Sequence, residues 1–203
     1  PNNPTGMIAT ADDARAVARA LPHALIVLDL AYAEFADEDL TPLVTELPNA
    51  VAVRTFSKAF GLAGLRVGYV VGRPEHLAWL ATVGNPFPCS GPSMAIAEAA
   101  LADSDHLART IEQTLKDRDA IIATLTDLGV ETLSSQGNFV LARHPQSATI
   151  HRELAARGIA IRRYPQPEIL ADRIRIGCPG SDAHLALLLD ELREVVPAAT
   201  TKA

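Results

Sequence analysis

Lys58 is one of three lysines in the 203-residue chain, and it is the one with chemistry around it. Lys116 stands in a charged helical pattern and Lys202 next to the last residue, whereas Lys58 follows the apolar run VAVRTF and precedes a glycine-punctuated loop. Thr55 and Ser57 flank it on one side, and Arg66 lies eight residues on. A free lysine amine condenses with an aldehyde. Two hydroxyls and a guanidinium form a phosphate cradle, because arginine binds phosphate bidentately and hydroxyls add short charge-assisted bonds. The set therefore suits a phosphorylated aldehyde. Upstream, the run ALIVLD closes on Asp29, with Tyr32 three residues later. In open α/β sheets ligands gather outside the carboxyl ends of strands, so Asp29 is placed to meet one.

Several elements must position these residues. PNNPTG, Pro1 to Gly6, reads as a turn, since proline restricts its neighbours and Asn and Gly accept left-handed geometry. Thr10 is an N-cap for a helix over ADDARAVARAL, with Asp12 and Asp13 in its first turn. Strands follow at Ala24–Asp29, in VAVRTF and at Arg66–Gly72, the first a continuous apolar run of the kind buried on both faces of a parallel sheet. A helix begins at Pro74, and Gly84–Pro92 is a breaker-rich loop. Helical periodicity then runs from Met94 to Leu128, broken near Asp103 and Asp105 and closed by Gly129. Beyond it come strands in VETLSS and NFVLAR, a helix in ATIHRELAARG, strands in IAIRRY and DRIRIGC, and a final helix over SDAHLALLLDELREVV. This order predicts an α/β protein: part of a large domain with a mostly parallel sheet over 1–103, a small α+β domain over 104–197, and a disordered tail over 198–203.

Composition narrows the class. Hydrophobic residues make up 48% of the chain, enough for a sizeable core, and the net charge of −6 with no basic cluster argues against nucleic acid or an anionic membrane as partner. The six histidines lack ligand spacing, so no metal site is expected. Cys89 and Cys178, far apart, suit reduced thiols and a cytoplasmic protein. No apolar run reaches membrane-spanning length. Because the chain opens on Pro1 inside a motif, it reads as the C-terminal portion of a longer polypeptide.

The string SKAFGLAGLRVGY resembles the cofactor-lysine segment of fold-type I pyridoxal-phosphate aminotransferases, and is closest to histidinol-phosphate aminotransferases. DLAYAEF is similar to the family's DEAYxEF, with Leu30 in place of the usual glutamate, and PNNPTG resembles its asparagine loop. The resemblance implies pyridoxal 5'-phosphate held by Lys58, with Asp29 facing the ring nitrogen and Asn3 and Tyr32 the phenolic oxygen. It implies that Thr55, Ser57 and Arg66 hold the phosphate. On the substrate side it implies Asn138, Arg175 and, thirteen residues before it, Arg162, with Asn3 near both ligands. Transamination of histidinol phosphate with 2-oxoglutarate in histidine biosynthesis is the implied reaction, in a homodimer whose partners are a small amino donor and a 2-oxo acid. Three alternatives keep the same residues: a phosphorylated amino acid decarboxylase, an aromatic amino acid aminotransferase, and an inactive truncated fragment that retains the fold.

Overall fold

In a computed structural model of the protein, residues 1–85 and 87–201 are described. Pro86 of the expected loop and residues 202–203 of the expected tail lie outside them. The chain divides into two units, Pro1 with Ile8–Ile111 and Asn2–Met7 with Glu112–Ala203.

In the first unit, α1 (Ala11–Ala20) starts at Thr10, whose hydroxyl accepts from the Asp13 N–H while Asp13 reaches back to the Thr10 N–H. That capping box satisfies two of the orphan donors at the helix start. The strands β1 (Ile26–Asp29), β2 (Ala50–Thr55) and β3 (Gly68–Gly72) form one sheet in that order, with the short helix α2 (Leu43–Glu46) between β1 and β2. β1 and β2 are parallel, with Asp29 opposite Val53; β3 runs antiparallel to β2, with Thr55 opposite Gly68. A crossover is needed for parallel neighbours, and α2 with its loops supplies it; β2 and β3 are joined through the Lys58 loop alone.

Ile26, Leu28, Ala50, Ala52 and Val71 turn to one face and pack on Ala14 and Ala18 of α1 and Leu43 and Val44 of α2. The opposite face is less covered than the apolar sequence of β1 predicts: Val27 is 57% exposed. The helices α3 (Pro74–Val83) and α4 (Gly91–Ala102) complete the unit. Trp79, Val83, Phe87, Met94 and Leu101 on and between them are exposed.

Helix α5 (Ser104–Asp127) carries the chain into the second unit. The sequence placed the boundary at the break before Ser104; the division instead falls inside α5 at Ile111 and Glu112. The C-terminal part of this helix is tied to second-unit turns: buried Asp117 accepts from the Gly180 N–H at 2.6 Å, and Lys116 pairs with Asp182 at 2.6 Å.

The second sheet has the order β4 (Glu131–Thr132), β5 (Phe139–Arg143), β7 (Arg173–Gly177), β6 (Arg162–Arg163), antiparallel throughout. Its Val140, Ala142, Ile174 and Ile176 face a core closed by α5, α6 (Ser147–Ala156) and α7 (Asp182–Thr201). Within the expected disordered tail, residues 198–201 are helical instead, because α7 continues through Pro197 to Thr201. Val195, Val196 and Ala199 are buried in the core, and that burial offsets the backbone hydrogen bond that proline removes.

Candidate active site

β1 and β2 end side by side, and the Leu30 N–H donates to the Val53 carbonyl at 3.0 Å just beyond Asp29. Both connections leave from this edge. Parallel partners share a face, and so do residues two apart on a strand, so Asp29, Val53 and Thr55 point to the same side. Asp29 is exposed, with Oδ1 accepting the Ala31 N–H at 3.1 Å, which turns the chain toward Tyr32.

Tyr32 is 7% exposed, and the Lys58 ammonium lies 5.1 Å from its ring centre. A cation at that range is attracted by the ring face, so lysine and tyrosine are oriented toward one another. Leu30 packs in the α1–α2 core, so the position that departs from the family motif is an apolar one.

The Lys58 loop is fixed by its apolar members. Phe56 and Ala59 are buried, Phe56 packs on Phe60 and Tyr69, and the Leu62 N–H closes back on the Phe56 carbonyl at 2.9 Å. Ser57 donates its N–H to the Thr55 hydroxyl at 3.1 Å, and the Thr55 hydroxyl lies 3.5 Å from the Val67 carbonyl. Arg66 is left-handed, with φ 58° and ψ 38°, and its Nη1 donates to the Ala63 carbonyl at 3.0 Å. It is the single non-glycine residue with positive φ among the described residues. That geometry costs about 1–2 kcal/mol for an L-residue and collects at functional turns. The amine, carboxylate, phenol, two hydroxyls and guanidinium thus belong to the ends of β1 and β2 and the two connections that follow them in the first unit. This donor set fits a phosphorylated pyridine aldehyde: an amine to condense, an acid for the ring nitrogen, and hydroxyls and a cation for the phosphate.

The second unit holds the other predicted residues. Asn3 and Arg175 meet directly, Arg175 Nη1 donating to Asn3 Oδ1 at 2.6 Å. Arg175 also stacks 5.0 Å from the Phe139 ring. Arg162 is the direct cross-strand partner of Arg175 and lies 5.8 Å from the Tyr164 ring. Two like charges opposite one another destabilise a sheet, and no carboxylate among the described residues pairs with either. An anion between them would remove that cost. Asn138 precedes β5 and is half-buried; its backbone carbonyl accepts the Cys178 N–H at 2.9 Å.

Sequence reading missed Arg54 and Glu34, although both lie in the quoted motifs. Arg54 Nη2 contacts Glu34 Oε1 at 2.8 Å, with both side chains close to nine-tenths buried. The available signal was one charge in each of the strings VAVRTF and AYAEF, of opposite sign.

The family model for aminotransferase class I and II matches residues 1–192. The chain belongs to that family. Among its aminotransferase relatives, the histidinol-phosphate aminotransferase of Gluconacetobacter diazotrophicus is 39% identical over 201 residues, covering 97% of this chain and 56% of that protein. Histidinol-phosphate aminotransferase 1 of Thiobacillus denitrificans is 40% identical over 207 residues, covering 98% and 53%. The crystal structure of the Sinorhizobium meliloti histidinol-phosphate aminotransferase, in complex with pyridoxal-5'-phosphate, superposes with a TM-score of 0.87 at 36% identity, over 98% of this chain and 56% of that one. The chain thus spans about half the length of the aminotransferases it matches.

Proposed function

We propose that the full-length protein is a pyridoxal-phosphate-dependent aminotransferase that moves the amino group of histidinol phosphate to 2-oxoglutarate. The observation that carries this reading is the Lys58 ammonium 5.1 Å from the Tyr32 ring, on adjoining loops at the strand end that Asp29 closes. When bound, the cofactor supplies an electron sink for the charge that develops at the substrate's α-carbon. Lys58 holds the cofactor and, once released, moves the α-proton as general base, a role worth about 10²–10⁴-fold. Asp29 keeps the ring nitrogen protonated, Tyr32 and Asn3 serve the phenolic oxygen, and Thr55, Ser57 and Arg66 bind the phosphate.

Arg175, with Arg162 and Asn138, takes the substrate's anionic groups; the support for a phosphorylated donor is the uncompensated arginine pair. The full-length protein is proposed to be a cytoplasmic homodimer. Cys89 and Cys178 are free thiols, and Trp79, Val83, Phe87, Met94 and Leu101 offer apolar surface for a second copy. Among the described residues no helix is long and apolar enough to cross a membrane.

The test is to mix full-length protein with histidinol phosphate and 2-oxoglutarate and follow glutamate formation. Glutamate supports the reading. Release of carbon dioxide from a phosphorylated amino acid without consumption of the oxo acid would replace it with the decarboxylase.

A further inference from the structure

One guanidinium clasps the connection between β1 and α2 at two points. Near its start, Glu34 in the 3₁₀ turn Ala33–Phe35 meets Arg54 Nη2 at 2.8 Å. Near its end, Asp39 meets Nη1 at 2.9 and 3.1 Å, and the Thr41 hydroxyl lies 2.6 Å from the same nitrogen. Arg54 is on β2, four residues before Lys58; Glu34 is two residues after Tyr32. The ion pair therefore joins the backbone that carries the phenol to the backbone that carries the amine.

Its side chains are 11% and 8% exposed, and burying two charges is costly enough that apolar residues of similar volume often serve stability as well. Arg54 Nε and Glu34 Oε2 are buried without a partner, so the pair is not optimised for stability. What it does supply is a fixed separation. Arginine's planar fork holds Glu34 on one nitrogen and Asp39 with Thr41 on the other in a fixed geometry, whereas a lysine ammonium is a flexible point charge without that fork.

We propose that Arg54 is a positioning residue that acts through Glu34 to hold the Tyr32 phenol in register with Lys58. The inference rests on the reading that Lys58 carries the cofactor and that Tyr32 faces its phenolic oxygen. A hydrogen bond to an anionic oxygen favours the ionised form, so a loosened Tyr32 raises the pH at which the lysine-bound cofactor loses its proton.

The experiment uses full-length protein and the variants Arg54→Met, Arg54→Lys and Glu34→Gln. In the cofactor-loaded proteins the pH midpoint of the visible band is titrated. It is expected to rise by on the order of one pH unit in Arg54→Met and Glu34→Gln, and by less in Arg54→Lys. In the cofactor-free proteins backbone hydrogen exchange is followed at Ala31–Ala36. It is expected to accelerate about tenfold or more, while exchange at Phe139–Arg143 stays unchanged. Midpoints and exchange rates equal to those of the parent would overturn the inference. Should Arg54→Met not fold, the near-isosteric Glu34→Gln decides. Absence of a visible band in the parent would sink the cofactor reading instead, and the exchange measurement would still decide whether Arg54 holds the Tyr32 turn.

Discussion

The side chains of the candidate site differ in how openly the sequence announced them. Lys58, Asp29 and Tyr32 could be singled out as candidates because each stands out from an apolar run at or just beyond a strand end. Arg54 and Glu34 could not be, because a charge pair twenty residues apart in the chain leaves no periodic trace; only the fold brings them to 2.8 Å. Arg162 was named only by the resemblance, among several neighbouring arginines; the register adds that it stands opposite Arg175. Replacing Arg175 with alanine is expected to raise the KM for the amino donor about 10- to 150-fold, the value of a charged hydrogen bond of about 1.5–3 kcal/mol, with the visible cofactor spectrum unchanged. Arg162→Ala is expected to leave thermal stability equal or slightly higher, since it relieves a like-charge pair, while KM rises. Steady-state kinetics and a melting curve check both. Burial pushes the Cys178 thiol up to about 12, aided by Asp117, so iodoacetamide at pH 8 is expected to spare it until the protein is unfolded in urea.

Helices and strands were read best where a local signal fixes an end. Thr10 with Asp13 set the start of α1, and the break before Ser104 separates α4 from α5. Thr10→Ala is expected to cost about 1 kcal/mol, read from the urea midpoint at constant slope. Elements set by tertiary contact were read worst. IAIRRY pairs over Arg162–Arg163 alone, because only those residues reach β7. Pro197 was read as a helix end, but it stays helical where Val195, Val196 and Ala199 are buried. The N-terminal turn shows what composition does not reveal. Gly6 has φ 75°, and a β-carbon there would collide with the Ser135 side chain and approach Ser135 Cα at 2.8 Å. Gly6→Ala is therefore expected to destabilise the second unit by more than the usual surface substitution, about 1–3 kcal/mol, and to disturb the nearby Asn3–Arg175 bond.

Across the whole molecule, acid should be the weak flank. The bond from Arg143 holds the Asp172 carboxyl below its usual range, and Lys116 does the same for Asp182. At Asp39 burial works to raise the value, but Thr41 and Arg54 bring it below. A depressed carboxylate stabilises the fold fully above its unfolded value, near 4, and loses that contribution as pH falls through the folded value. The urea midpoint is therefore expected to stay level from about pH 7 to 5 and to drop below about 4. The isolated chain, about half the length of its relatives, is expected to turn over poorly; restoring the remainder should restore activity. The most direct test of the account is borohydride reduction of the full-length protein loaded with pyridoxal phosphate, followed by peptide mass mapping. The cofactor mass fixed on Lys58, and lost in Lys58→Ala, is the predicted result; the mass on Lys116 or Lys202, or on no lysine, would contradict it.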